Sequence, residues 1–273
     1  MGEYDLPRPA PWTSEEPPVG ARPAATLMLL RDRPDGAGPA QVLMLQRAAT
    51  MRFAANAIVF PGGAVDDADR MLADRMAHGL APQDAAARIA AIRESIEEAG
   101  IAVGLTATIT PGEVAEMRIA LHAGATLAEI LDGRTFGLDL GVLEPFARWC
   151  PQPRDKAVPR LFDTRFYVAR APGDDHVASA DTTENVRLRW ASAAEILADC
   201  HAGREHSIFP TRRNLERLAL ASRFDDAVAF ARAHPVEMVT PWVEERDGVP
   251  HLCIPDHLGY PVTSEEYAKL QRG

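Results

Sequence analysis

The segment from Asp84 to Gly100 constrains the fold more than any other part of this 273-residue chain. Its composition favours a helix, and Gly100 is a natural residue just beyond a helix C-terminus. At about 100° per residue, four of its side chains form one apolar stripe, namely Ile89, Ile92, Ile96 and Ala99. The segment therefore predicts a helix with one face buried in a core.

Strand-length apolar segments and other helical segments surround this helix without strict βαβ alternation, which favours an α+β fold. The predicted strands are Ala24–Leu30, Gln41–Gln46, Ile58–Phe60, Val142–Trp149, Leu161–Ala169, Val186–Trp190, Val236–Glu244 and Val249–Ile254. Turn residues join the first two strands and the last two strands into hairpins. Further helices are predicted over 113–132 in two pieces around Gly124, from the Ser192–Glu195 capping box to about His201, over Thr211–Ser222 and over Phe224–His234. Residues 70–82 are predicted to be a loop with one helical turn.

Composition excludes several classes of protein. A hydrophobic content of 47% with 25% charged residues is typical of a globular chain. The net charge of −10 argues against nucleic acid or anionic membranes as partners, and no apolar segment approaches the ~20 residues of a membrane helix. Residues 1–23 contain six prolines and are predicted to be a flexible tail. Three separated cysteines without a secretory signal at the N-terminus predict a cytoplasmic protein.

Glu94, Glu97 and Glu98 lie close together on another face of the predicted helix. Carboxylates at i,i+3 and i,i+4 spacing repel each other, and the helix dipole disfavours negative charge in the last turn. A bound Mg²⁺ or Mn²⁺ ion would offset this cost, because clustered carboxylate oxygens are the ligands these ions select. A solvated acidic face is an equally good explanation of these residues taken alone.

The preceding Pro61-Gly62-Gly63 segment follows a strand, where glycines allow backbone to approach a ligand closely. Together with Arg93-Glu94-Ser95-Ile96-Glu97-Glu98-Ala99-Gly100-Ile101, it resembles the box of the Nudix hydrolases, Gly-x5-Glu-x7-Arg-Glu-U-x-Glu-Glu-x-Gly-U, where U is a bulky apolar residue. The box would run from Gly63 to Ile101.

The chain departs from this box at three points. Asp69 stands at the position of the first glutamate, so its assignment is open. Residues 70–92 number 23 where the family has 7, which is an insertion of 16 residues around 70–85. Ser95 stands at the first U position, with the apolar Ile96 beside it.

The resemblance implies a Nudix fold, a mixed sheet between helical layers in an α/β/α arrangement. It assigns residues 24–202 to this domain and leaves 203–273 as a helical extension packed on it. It also implies that Glu94, Glu97 and Glu98 hold Mg²⁺ or Mn²⁺, with the Gly62 carbonyl as a further ligand. Glu94 or Glu98 would take the catalytic role, and Arg93 would orient the glutamates. Glu184, an acid outside the box, is a candidate ligand or base, although a solvent-facing loop glutamate explains it as well.

A second motif narrows the substrate. Residues 43–63 resemble the pattern Leu-Leu-Thr-x-Arg-Ser/Ala-x3-Arg-x3-Gly-x3-Phe-Pro-Gly-Gly of Nudix coenzyme A diphosphatases. The matching positions are Arg47, Ala48, Arg52 and Phe60–Gly63, whereas Leu45 replaces the threonine and Asn56 the glycine. Arginine suits bidentate phosphate contacts, so the resemblance makes Arg47, Arg52, Phe60 and Gly63 candidate substrate-binding residues. Each arginine taken alone has a structural explanation.

The resemblance thus implies a Mg²⁺-dependent diphosphatase whose small-molecule substrate is a nucleotide. It also implies that the preferred substrate is coenzyme A or an acyl derivative, which would give 3′,5′-ADP and 4′-phosphopantetheine. The alternatives are a Nudix hydrolase of a dinucleotide or nucleotide sugar, and a non-catalytic Nudix-fold binding module. The sequence leaves open whether the chain forms a homodimer.

Overall fold

The computed structural model describes residues 16–50, 54–151, 161–173, 178–179 and 185–270. Within these ranges, eight strands form one mixed sheet. They are β1 (Arg22–Arg31), β2 (Gln41–Arg47), β3 (Ile58–Val59), β4 (Gly62–Ala64), β5 (Glu144–Trp149), β6 (Phe162–Arg170), β7 (Asn185–Ser192) and β8 (Met238–Val239). β1 pairs with β6 in parallel over nine residues, and the sheet is otherwise antiparallel except where β8 joins β5.

The β1–β2 hairpin opens at one end and admits the glycine segment. β1 and β2 pair only near the turn, where Leu30 lies opposite Val42. Further along, β3 pairs with β2 and β4 pairs with β1, so residues 58–64 lie between the two diverging strands. The predicted hairpin is therefore confirmed, and its open end determines where Gly62 and Gly63 lie.

Helices cover both faces of the sheet. Alternate side chains of a strand point to opposite faces, so Leu27 and Leu29 belong to one core cluster and Met28 and Leu30 to the other. The first face is covered by α1 (Asp67–Arg75), α2 (Pro82–Glu94), α3 (Pro111–His122) and α4 (Leu127–Leu131). The second face is covered by α5 (Ala193–His201), α6 (Phe209–Leu218) and α7 (Phe224–Ala233). The predicted α/β/α Nudix fold is confirmed.

The insertion within the box forms a helix, so the prediction of a loop with a single helical turn over 70–82 is wrong. α1 begins after Asp66, whose backbone N–H donates to the side chain of Asp69 at 2.9 Å in a capping box. Leu72 and Ala73 on this helix are buried in the core. The apolar contacts with α2 and α4 stabilise a segment whose own composition gave little helical signal.

The C-terminal residues form a second, three-stranded sheet of β9 (Trp242–Arg246), β10 (Val249–Cys253) and β11 (Ser264–Glu266), followed by α8 (Tyr267–Leu270). The β9–β10 hairpin is confirmed, with Asp247 and Gly248 both at positive φ as a tight primed turn requires. The prediction of one strand over 236–244 is wrong. Pro241 interrupts it, because proline has no N–H to donate to a ladder, and β8 and β9 belong to different sheets.

In the part of the chain that the structure describes, none of the helices combines the length and apolar character needed to cross a bilayer.

Candidate functional site

The C-terminal end of the box helix lies against the glycine turn between β3 and β4, and Glu98 joins the two. Its Oε2 accepts a hydrogen bond from the backbone N–H of Gly62 at 2.8 Å. Its Oε1 accepts one from the Nδ2 of Asn185 at 3.0 Å, at the start of β7. The Glu98 side chain is buried, and Asn185 is fully buried. Two segments distant in sequence therefore hold this carboxylate in one orientation.

Arg93 holds the other two carboxylates of the helix. Its Nη1 donates to Glu94 Oε1 at 2.8 Å and to Glu97 Oε2 at 3.1 Å. Its Nε and Nη2 form a bidentate pair with Asp69, and Nη2 also donates to the carbonyl of Ala64. Burial alone would lower the pKa of Arg93, but the hydrogen bond to Asp69 and the charge of Glu94 raise it above its usual value. Arg93 is therefore a permanently charged centre with its donors already engaged.

Gly63 provides the space in which the Glu94 carboxylate lies. A Cβ atom at this glycine would meet Glu94 Oε1 at 2.2 Å. At Gly62 the equivalent atom would meet the backbone of β1, with Ala25 O at 2.4 Å. The two glycines thus have different tasks, since Gly62 allows the strands to pair and Gly63 allows a carboxylate to lie over the turn.

The last turn of the box helix, Ser95–Ala99, is a π-helical turn that ends at Gly100 with φ +66°. The Ser95 hydroxyl donates to the carbonyl of Ile101 at 2.8 Å, across this turn. A polar residue at a usually apolar box position is accommodated because its hydroxyl satisfies a carbonyl where the helix ends. Ile96 is fully buried and takes the apolar role.

Basic side chains from α3 satisfy the carbonyls at the end of the same turn. Arg118 donates to the carbonyl oxygens of Glu97 at 2.8 Å and Glu98 at 3.1 Å. The His122 ring nitrogen lies 3.1 Å from the Glu97 carbonyl. Positive charge at a helix C-terminus is favourable. Arg118 on α3 therefore offsets the negative charge that the helix dipole and the three glutamates place at this end of the helix.

Burial and mutual repulsion raise the pKa of each carboxyl. The pKa of Glu98 rises to about 8, first through burial and then through the charge of Glu94, against the opposing hydrogen bond from Gly62. Burial raises the pKa of Glu94 to about 7, although the charge of Arg93 opposes it. Burial also raises the pKa of Glu97. The site therefore favours additional positive charge.

The donor set suits a hard divalent cation. Carboxylate oxygens are the preferred ligands of Mg²⁺, and each oxygen has two lone pairs, so the hydrogen bonds of Glu98 leave acceptor capacity. Within the described ranges, no group of three or more His, Cys, Asp or Glu side chains is arranged so that it could hold a metal ion on its own. Mg²⁺ in proteins usually keeps several waters and shares its remaining positions with substrate phosphates.

The remaining residues that the sequence predicts for the site lie in different environments. Arg47 ends β2 opposite Asn185, and its charge lowers the pKa of Glu98. Phe60 is 3% exposed and packs in the core cluster of the second face, so its ring is not available to a ligand. Arg52 and Glu184 lie outside the described residues.

Two residues of the site escaped sequence analysis. Asn185 had a weak signal, since asparagine is disfavoured in strands and this one begins β7 next to the candidate Glu184. Arg118 had none, because 27 of the 29 basic residues are arginines and nothing local distinguishes this one.

No family model matches the chain. It is similar to an uncharacterised Nudix hydrolase of Klebsiella aerogenes, NudL, at 34% identity over 101 residues that cover 37% of this chain and 74% of the relative. It is 27% identical to the putative Nudix hydrolase 7 of Caenorhabditis elegans, covering 67% of this chain and 57% of that protein. It is also 27% identical to the human acyl-coenzyme A diphosphatase NUDT19, covering 83% of this chain and 74% of the human protein.

A solved structure agrees with these relatives. The crystal structure of a Nudix hydrolase from Alicyclobacillus acidocaldarius matches with a TM-score of 0.62 at 28% identity, covering 77% of this chain and 96% of that one. The sheet between helical layers and the acidic helix on a glycine turn define the class of fold. The chain belongs to the Nudix hydrolase superfamily, whose members are hydrolases of pyrophosphate bonds.

Proposed function

We propose that the protein hydrolyses a diphosphate bond in a nucleoside diphosphate linked to another moiety, with Mg²⁺ or Mn²⁺ as the metal, and that coenzyme A or an acyl derivative is the preferred substrate. One observation carries this proposal. Glu98 is buried and Glu94 is partly buried at the end of one helix against a glycine turn, and hydrogen bonds from Arg93, Gly62 and Asn185 hold their carboxylates.

In this proposal Glu94, Glu97 and Glu98 hold the metal, and the Gly62 carbonyl is a further ligand. Bound metal would neutralise the diphosphate and provide hydroxide at neutral pH for attack on phosphorus. Arg93 keeps Glu94 and Glu97 oriented through Nη1. The N–H of Gly62 and the amide of Asn185 keep Glu98 facing the turn. Glu94 or Glu98 would accept the proton of the attacking water.

The choice of coenzyme A rests on two supports. Arg47, Arg52 and Phe60–Gly63 match the coenzyme A diphosphatase motif in register. The human relative is named as an acyl-coenzyme A diphosphatase. The products would be 3′,5′-ADP and 4′-phosphopantetheine. Separately, a cytoplasmic location stays a prediction from the cysteine content.

The test is a panel of substrates at mildly alkaline pH, with Mg²⁺ or Mn²⁺ and with chelator. The panel contains coenzyme A, an acyl-coenzyme A, a dinucleotide and a nucleotide sugar, and products are separated by chromatography. The proposal expects coenzyme A or its acyl derivative to have the highest kcat/KM and chelator to abolish turnover. A higher kcat/KM for another nucleotide would identify that nucleotide, and not coenzyme A, as the preferred substrate. Binding without cleavage by any metal-loaded sample would indicate a non-catalytic module.

A matched pair of variants connects turnover to the site. Glu98→Gln removes a charge while retaining shape, and we expect turnover to fall by two or more orders of magnitude with the fold intact, since charge stabilisation dominates such reactions. Glu116→Gln is the control, because Glu116 is an exposed glutamate on α3. Unchanged metal-dependent turnover in Glu98→Gln would refute the assignment of Glu98.

A further inference from the structure

Two arginines lie beside the acidic end of the box helix, and their hydrogen bonding differs. Arg93 is buried, and its Nε, Nη1 and Nη2 all donate to Asp69, Glu94, Glu97 or the Ala64 carbonyl. These bonds engage its donors within the protein. Arg93 therefore acts as a positioning residue for the carboxylates and is not available to a ligand.

Arg47 is the contrasting case. Its Nε is buried and has no hydrogen-bond partner among the residues that the structure describes. Its backbone N–H is used in the fold, donating to the carbonyl of Ala57 at 2.9 Å. One donor of the Arg47 guanidinium, Nε, is therefore unused within the described part of the protein, and burying such a donor without a partner is costly.

The position of Arg47 indicates which anion it would contact. It lies directly opposite Asn185 in the β2–β7 ladder, and Asn185 donates to Glu98. The charge of Arg47 also acts on the Glu98 carboxyl. Arg47 therefore lies at the strand position beside Asn185, and its charge is near enough to act on the carboxylate that the proposed function assigns to the metal.

We propose that Arg47 binds the scissile diphosphate itself, and not the 3′-phosphate that distinguishes coenzyme A from its dephosphorylated form. This inference rests on the proposed function, in which the diphosphate is drawn to the metal at Glu98. An arginine fork gives two parallel charge-assisted hydrogen bonds to phosphate oxygens. Arg47 then contributes to turnover of diphosphate substrates in general and contributes nothing to the choice of the 3′-phosphate.

The experiment compares coenzyme A with 3′-dephospho-coenzyme A, which share the diphosphate and the pantetheine arm. kcat/KM is measured for both in the wild type, Arg47→Met and Arg47→Lys. We expect Arg47→Met to lower kcat/KM about 10- to 100-fold for both substrates, with the ratio between them unchanged. Arg47→Lys, which keeps the charge, restores part of the loss on both. Both substrates are assayed with the same protein sample, so a smaller folded fraction lowers both rates equally. The ratio of the two kcat/KM values is therefore independent of any loss of stability.

Arg187→Ala is the matched control, since Arg187 is a half-exposed arginine on the adjacent strand that pairs with Glu205. We expect Arg187→Ala to leave kcat/KM unchanged for both substrates. A loss in Arg47→Met confined to coenzyme A would overturn the inference by assigning Arg47 to the 3′-phosphate. No loss on either substrate would overturn it as well.

A binding measurement separates this inference from the proposed function. Imidodiphosphate with Mg²⁺ is titrated by calorimetry into the wild type and Arg47→Met. If neither coenzyme is cleaved but the variant binds imidodiphosphate at least 10-fold more weakly, the proposed function fails and the role of Arg47 stands. Equal affinities, or no binding to the wild type, would overturn the role of Arg47.

Discussion

Asp69 receives two hydrogen bonds from Arg93, Nε to Oδ1 at 3.1 Å and Nη2 to Oδ2 at 3.0 Å. Asp69 is 2% exposed and lies on α1, the helix that the insertion adds to the box. The residue that stands in place of the family's first glutamate therefore anchors the arginine that orients Glu94 and Glu97. The shorter carboxylate of aspartate reaches Arg93 because α1 packs directly on α2.

Asp69→Ala is expected to lower the free energy of unfolding by roughly 1–3 kcal/mol, because it leaves the buried Nε of Arg93 without an acceptor, whereas Glu94 and Glu97 still pair with Nη1. The measurement is urea unfolding followed by circular dichroism. Asp67→Ala on the same helix is the control, since the Asp67 side chain is 94% exposed, and it should change stability by less than about 0.5 kcal/mol. Equal effects of the two substitutions would contradict the role of the Asp69–Arg93 pair.

Gly63→Ala should lower activity more than stability. Its Cβ would occupy the position of Glu94 Oε1, so the carboxylate must move while the strand pairing remains. We expect the Mg²⁺ concentration for half-maximal activity to rise at least about 10-fold, because displacing the side chain of a proposed metal ligand weakens metal affinity. Thermal unfolding should change only slightly.

Gly62→Ala should behave in the opposite way, because its Cβ meets the backbone of β1. Loss of stability should dominate there. Gly137→Ala, with open space at its Cβ, is the control for both. The assignment of Gly63 would be wrong if Gly63→Ala retained the wild-type metal dependence.

Asn185→Ala removes the donor to Glu98 Oε1 and leaves Glu98 with the N–H of Gly62. We expect the Mg²⁺ concentration for half-maximal activity to rise about 10- to 100-fold, because loss of a residue that holds a metal ligand commonly weakens metal affinity by this factor. KM for the nucleotide at saturating Mg²⁺ should change little. Val186→Ala, at the exposed neighbouring position, is the control. A rise in KM alone would mean that Asn185 acts on the substrate and not on Glu98.

Glu216 lies on α6, distant in sequence from the box, and we expect it to make the stability of the protein depend on pH. Burial raises its pKa to about 7, although the charge of Arg213, 2.8 Å away, opposes this. The folded state therefore binds the proton more tightly than the unfolded chain does. The resulting stabilisation is complete below the ordinary pKa of about 4.5 and is lost as pH rises through about 7.

Glu216→Gln, which mimics the protonated side chain, should gain stability relative to the wild type between pH 5 and pH 8. The measurement is the difference in free energy of unfolding at the two pH values, with the exposed Glu245→Gln as control. The other buried carboxyls titrate in both proteins and cancel in this difference. A difference that does not vary with pH would show that Glu216 is ionised throughout.

Much of the fold followed from periodicity and turn residues. The helix predicted from Asp84, its end at Gly100 and the tight turn at Asp247-Gly248 depend on consecutive residues, and all three are found in the structure, where the helix begins at Pro82. α1 could not be predicted, because contacts with α2 and α4 stabilise it and its local composition does not. The strand predicted over 236–244 divides because Pro241 ends one ladder and the chain continues into another sheet.

The sequence by itself was enough to identify the three glutamates and the two glycines as candidate site residues and to indicate the family. Their spacing along one helix and one turn is a local property that can be read from consecutive residues. Only the tertiary structure decided their partners. Asp69 reaches Arg93 across 24 residues, and Asn185 reaches Glu98 across 87. It also decided that Phe60 belongs to the core and that Arg47 Nε is buried without a hydrogen-bond partner among the described residues. The physical reason is that burial and hydrogen bonding depend on which distant segments the sheet brings together.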